Sequence, residues 1–256
     1  MKHNNPEFAE IAERGTILRC QVGSGLHGTA VEGQDDRDEM GLCLEPAEYV
    51  VGTRRFEQYI FRTQPEGVRS GPGDLDLIVY SLRKWMRLAL TGNPTVVLPL
   101  FAPDAEIVRI TDLGHELRAN AHRIVSRQAG PRFAGYLRSQ RRRMVEGNIK
   151  VNRPELIEKY GFDTKYAMHM VRLGVQGVEL LETGRMTLPL PEPWLTWLCD
   201  LRQGRHTQAE AVEAAAELEA KLETLTTRTS PLPEAPDREW ADAWLVRAHV
   251  AAWKMA

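Results

Sequence analysis

The chain has 256 residues, 33 basic and 35 acidic, for a formal net charge of −2. Charged residues make up 27% and the hydrophobic set 43%, which excludes a disordered or fibrous chain and leaves room for one large domain or two small ones. The near balance of charge excludes a global cationic field directed at nucleic acid or a membrane surface, so such a partner must bind a local patch. Three cysteines, Cys20, Cys43 and Cys199, are too few and too scattered for a disulfide framework or a zinc knuckle, and they fit a reducing compartment. Residues 1–10 are polar with no signal-peptide core, and no apolar run approaches the ~20 residues that cross a bilayer. A cytoplasmic protein with no membrane partner is expected.

Residues 8–14 form an amphipathic pattern stopped by Gly15, which predicts a short helix. Residues 16–22 mix β-branched and apolar side chains between glycines and read as a strand. Gly23-Ser-Gly-Leu-His-Gly28 reads as a turn opening a short helix, and 32–35 as a loop. Residues 36–44 pass from charged to apolar, as a strand emerging from solvent does. Residues 47–51 are a brief apolar stretch, 56–61 a further strand, and 63–73 a loop rich in Gly, Pro and Ser. Residues 74–79 begin with polar–apolar alternation and predict another strand.

From residue 81 the period changes. Leu82, Trp85, Leu88 and Ala89 recur at spacings of three and four over 81–91, and Asn93-Pro94 ends that helix. Residues 95–101 are an apolar helix start or a buried strand. Helices are expected over 111–126, 132–150 (basic), 163–183, 207–226 and 237–254, with a Pro-rich linker at 227–236. The tryptophans at 194, 197, 240, 244 and 253 are expected as core or interface residues. The boundary falls near 105, giving a mixed part over 1–105 and a helical part over 106–256.

Three features carry chemistry, each weak alone. Gly23-Ser24 after a strand offers backbone N–H groups and a hydroxyl to an anion, although such a pair is usually only a turn. Asp36 and Asp38 are two apart on a strand, so they share a face and can converge on a hard cation; the same run also suits a solvated acidic loop. Asp74-Leu-Asp76 repeats the arrangement at the start of a later strand.

In this order the features resemble the DNA polymerase β-like nucleotidyltransferase superfamily. Gly23-Ser-Gly-Leu-His-Gly28, Asp36-Arg-Asp-Glu-Met-Gly41, the segment from Asp74 to Lys84 and Leu88-Ala-Leu-Thr-Gly-Asn93-Pro94 are similar to the RNA-ligase-associated nucleotidyltransferase family. So are Lys165-Tyr-Ala-Met-His169-Met-Val-Arg172 and Leu180-Leu-Glu-Thr-Gly184, and the similarity spans residues 16 to 205. Departures fall at Gly25 and His27, where the family usually carries Arg and Tyr, and at Met40, where it usually carries Arg.

The resemblance implies an α+β fold: a small mixed β-sheet nucleotidyltransferase domain with flanking helices, then a helical domain completing the cleft. It implies transfer of NMP from an NTP to a hydroxyl, with an RNA or tRNA end as acceptor and release of pyrophosphate. Asp36, Asp38 and Asp76 would ligate two Mg²⁺ or Mn²⁺ ions. Asp76 is favoured as third ligand because Leu77-Ile-Val79 follows it, with Asp74 as the alternative. Gly23 and Ser24 would hold phosphates. His27, Lys84, Lys165, His169 and Arg172 are further candidates for the nucleotide; the last three share a helix face at spacings of four and three. Arg138, Arg141, Arg142 and Arg143, continued by Lys150, form the densest basic run and are candidates for RNA, although a solvent-facing basic helix reads the same way. The alternatives are nucleotidylation of a protein hydroxyl and a non-catalytic nucleotide- or RNA-binding module on the same fold.

Overall fold

Asn5 opens the first helix. Its side chain accepts from the Phe8 amide at 2.8 Å, and Pro6 takes a position where a missing N–H costs nothing. In this computed structural model, which describes residues 3–31, 33–145, 153–228 and 230–255, that helix (α1, Pro6–Gly15) runs directly into β1 (Thr16–Val22). Strands β2 (Arg37–Cys43), β3 (Gln58–Arg62), β4 (Leu75–Ser81) and β5 (Ile107–Ile110) complete a five-stranded sheet in the order β3-β4-β2-β1-β5. β2 and β4 are parallel and every other pair is antiparallel, so the sheet is mixed and the fold α+β, as expected.

The strand period of two sorts the side chains. Cys43, Leu77 and Val79 face one way and pack with Ile11 and Ala12 of α1, Tyr49 of the short α3 (Ala47–Val50) and Phe56. Leu18, Cys20, Met40 and Leu42 have the opposite parity and are also buried. Helix α4 (Leu82–Leu90) buries Leu82, Trp85, Met86 and Ala89, and the Trp85 indole N–H donates to the Val96 carbonyl at 2.8 Å. Truncating a fully buried tryptophan of this kind removes about 3–5 kcal/mol.

The chain divides into two compact units. The first comprises residues 1–90, 96–124 and 236–256. Besides the sheet it holds α5 (Asp112–Ala119), α6 (Ala121–Ile124) and α12 (Arg238–Met255). α12 is tied in by His249, whose Nε2 lies 2.9 Å from Glu45 Oε2, both side chains nearly inaccessible, and by Trp253, which donates to the Glu45 carbonyl at 2.8 Å.

The second unit comprises residues 91–95 and 125–235 and is helical. It holds α7 (Ala129–Val145), α8 (Pro154–Tyr160), α9 (Thr164–Thr183), α10 (Trp194–Arg202) and α11 (Gln208–Thr227). α9 is the central element: Asp163 caps it by accepting from the Lys165 and Tyr166 amides, and α7, α10 and α11 pack on it. A Cβ on Gly177 would lie 2.8 Å from Phe133, so the glycine sets how closely α7 approaches.

The structure differs from the sequence reading in detail. Residues 111–126 hold two helices, because the chain leaves the helix at Asn120. Residues 98–100 form a buried single turn. β5, α8 and α10 have no counterpart in the sequence reading. The expected helix over 132–150 is present to Val145; residues 146–150, including Lys150, lie outside the described residues. No helix among the described residues is long and apolar enough to cross a membrane.

Candidate active site

β1 ends at Val22, the register partner of Asp38, and the chain turns at Gly23 into α2 (Gly23–His27). Gly23 has φ +68°, and a Cβ there would lie 2.0 Å from Asp38 Oδ2. Both the left-handed backbone and the close approach require glycine. The turn therefore runs against the Asp38 carboxylate, with Ser24 next in the chain and buried.

Asp38 and Asp76 are register partners across parallel β2 and β4, so their side chains leave the same face of the sheet. Asp36 precedes β2 by one residue and is two from Asp38. Asp36, Asp38 and Asp76, all half-buried, each bring a carboxylate oxygen within 4.8 Å of the others. Glu39 has the other parity: it is buried and held by Arg19 and by Arg37 Nε at 2.6 Å. Alternation thus splits one acidic run into a convergent pair and a neutralised ion-paired residue.

The two acids of the 74–76 segment have different partners. Asp74 accepts from the Gly71 amide at 2.9 Å, and from Gln64 and Thr63 at 2.8 Å each. These bonds, the Gly71 amide first, hold its carboxyl below the usual carboxylate range. It closes the loop over 63–74. Asp76 joins the other two acids and accepts from Arg62 Nε at 3.0 Å and Ser70 Oγ at 2.8 Å.

Three carboxylates this close repel one another, and their donor atoms are all hard oxygens. That set fits a divalent ion of the Mg²⁺ or Mn²⁺ kind and offers no soft ligand.

His27 is buried at the end of α2. Lys84 lies beyond the end of β4 opposite Asp76, 2.6 Å from Gln58 Oε1 and 5.3 Å from the Tyr80 ring centre, and burial lowers its pKa. Lys165, His169 and Arg172 share a face of α9 in the second unit, as their spacing predicts. Arg172 Nη2 lies 3.3 Å from His169 Nδ1, and Nη1 donates to Gln176 at 2.8 Å. Burial, then the charges of Arg172, Lys165, Arg153 and Arg202, push His169 well below its ordinary pKa, so the ring is neutral. Of the basic run, Arg138 is paired with Glu219 and Glu223 of α11, and Arg141 with Glu219 at 2.8 Å; Arg142 and Arg143 are exposed. Burial pushes the Cys20 thiol up to about 12 and raises Cys43 as well, so neither is a thiolate nucleophile at neutral pH.

Sequence reasoning missed Arg62 and Ser70 around Asp76, and Arg153 and Arg202 around His169. Arg62 is brought to Asp76 by the β3–β4 register, which no local motif announces. The arginines around His169 come from segments that only the helical packing assembles.

Among solved structures, a nucleotidyltransferase-like protein from Exiguobacterium sibiricum is similar over 86% of this chain and 71% of its own, at 13% identity and a TM-score of 0.30. No curated protein matches the chain. The family model described as the RNA repair pathway DNA polymerase beta family matches residues 1–247, which include Gly23, Ser24 and all three convergent acids. The chain belongs to that polymerase β-like nucleotidyltransferase family.

Proposed function

We propose that this nucleotidyltransferase is metal-dependent and transfers NMP from an NTP to the terminal hydroxyl of an RNA, releasing pyrophosphate. The observation that carries the reading is the convergence of Asp36, Asp38 and Asp76 beside the Gly23-Ser24 turn. When bound there, divalent ions would neutralise triphosphate charge and lower the pKa of the attacking hydroxyl. Asp36, Asp38 and Asp76 would hold them, and Asp38 would be kept in place by the turn at Gly23. The Ser24 hydroxyl and the first N–H groups of α2, which have no acceptor within the helix, would bind phosphate oxygens. Arg62 and Ser70 would orient Asp76. Lys165 and Arg172, with neutral His169 between them on α9, suit a phosphate of the nucleotide or of the acceptor. The RNA acceptor rests on the family description, which concerns RNA repair.

The test is pyrophosphate release from each of the four NTPs with Mg²⁺ or Mn²⁺ and a set of RNA ends. Asp36→Ala and Asp38→Ala are expected to lower release by at least ~10²-fold without altering the helical content. Saturable NTP binding with no release from any NTP and acceptor would overturn the transfer reading in favour of a binding module. Label appearing on the protein itself would redirect it to a protein hydroxyl.

A further inference from the structure

One cavity is lined by none of the residues assigned to the transfer reaction. It lies in the helical unit between α10 and the start of α11 and has a volume of about 740 Å³. Its floor is aromatic. Trp194 and Trp197 meet edge to face at 5.7 Å, and His206 stacks on Trp197 at 4.6 Å with an interplanar angle of 24°. Both tryptophans are half-exposed.

Its rim is acidic. Glu192, Asp200, Glu210, Glu213 and Glu217 line it, and no lysine or arginine does so among the described residues. Three of these acids are used locally: Glu192 accepts from Thr196, Asp200 pairs with Arg205, and Glu210 caps α11 through Thr207. The side chains of Glu213 and Glu217 make no hydrogen bond or ion pair among the described residues. They stand one turn apart on α11, a like-charge spacing that destabilises a helix unless a cation lies between. A second depression of about 360 Å³ shares Trp194 and Glu217, so the cavity continues as a groove along α9 and α11; the one lysine lining that extension, Lys221, is paired with Glu182 at 2.8 Å.

We propose that this groove is a docking site for a lysine- or arginine-bearing peptide segment of a partner protein, its cationic side chains seated over Trp194 and Trp197 and held by Glu213 and Glu217. Tryptophan faces attract guanidinium and ammonium groups, and carboxylates on the rim complete the recognition. The acidic rim repels phosphate, which argues against RNA here. The two joined depressions are longer than a single small cation needs, which argues for a chain. The site is independent of the transfer reaction and stands whether or not that reading holds.

Calorimetric titration of the full chain with a blocked peptide of alternating glycine and arginine, about eight residues long, tests it. Saturable binding is expected, weakening several-fold between about 50 and 300 mM salt. Glu213→Gln/Glu217→Gln is expected to weaken it at least tenfold, and Trp197→Leu likewise, with unchanged helical circular dichroism. The corresponding glutamate peptide should not bind. Absence of saturable binding, equal affinity in the double glutamine variant, or spermidine binding as tightly as the peptide would overturn the proposal. So would concentration-dependent self-association abolished by the same double variant, which would assign the groove to a second copy.

Discussion

Asp38 is the residue on which the first unit's site turns. It is opposite Asp76 by register, beside Asp36 by sequence, and in contact range of Gly23 by the geometry of the β1–α2 turn. Gly23→Ala therefore does two things at once. It places a side chain at φ +68°, costing about 1–2 kcal/mol, and it drives a methyl into the Asp38 carboxylate. Steady-state assays should show a loss of turnover on the order of 10²-fold, because a ligand displaced by an ångström is enough for that. His169 makes a different prediction, about pH. Its folded-state pKa is depressed, so the folded protein keeps the ring neutral while the unfolded chain takes up a proton near 6.5. The unfolded state then binds more protons, and stability falls as pH drops through that value. Thermal unfolding of His169→Asn should show a smaller fall in Tm from about pH 7.5 to pH 5 than the parent chain. An equal fall in both would refute the assignment.

At the scale of elements, strand alternation explains why a run with four acids in five positions is neither a plain acidic loop nor a uniform ligand set. Asp36 and Asp38 converge with Asp76, while Glu39, one residue on, is neutralised by two arginines. The shared face of Asp36 and Asp38 was legible in the sequence, because a period of two is a local property; Asp76 was joined to them by the family resemblance, and the arginines on Glu39 were not foreseen. The choice between Asp74 and Asp76 was less so. Asp74 immediately precedes β4 and Asp76 is its second residue, and only the loop over 63–74 shows that Asp74 is taken by Gly71, Gln64 and Thr63. Helix α12 poses the element-level prediction. Its buried His249 bonds to the buried Glu45 carboxylate, which also accepts from the Leu82 amide. His249→Leu strands that carboxylate without its partner and should cost about 3 kcal/mol, read as a lower midpoint in denaturant unfolding. Retained stability would mean that α12 is held without the His249–Glu45 contact, by the apolar packing of Trp244 and Ala248 and the Trp253 hydrogen bond.

For the whole molecule, the near-zero net charge is a sum of local clusters. Acids converge at the β2–β4 end of the sheet, cations surround His169 on α9, and an acidic rim surrounds Trp194 and Trp197. Part of the basic run on α7 is spent on Glu219 and Glu223, so its count of arginines overstates the charge it presents. A ligand that binds only the folded chain raises its stability by mass action. An NTP at about 100 times its Kd, with Mg²⁺, adds about 2.7 kcal/mol and should raise the unfolding transition by roughly 5–10 °C. Chelation of the metal with EDTA should remove most of that rise, and a shift that survives EDTA would argue that the three acids do not hold a metal for the nucleotide.

The sequence by itself determined the elements whose signals are local. The 16–22 strand is bounded by glycine, α9 carries its own cap and stop, and the Gly-Ser turn and alternating acids identify the family by their order. It did not determine β5, a four-residue edge strand that exists by pairing with β1 about 90 residues away, or α10, for which no helix was expected. Tertiary structure alone decided which of two neighbouring acids joins the cluster, brought Arg62 to Asp76, and returned α12 to the unit that contains the sheet. The physical reason is the same in each case. Periodicity and caps are set by neighbours within a turn or two, whereas register, ion-pair choice and burial are set by partners that only folding brings near.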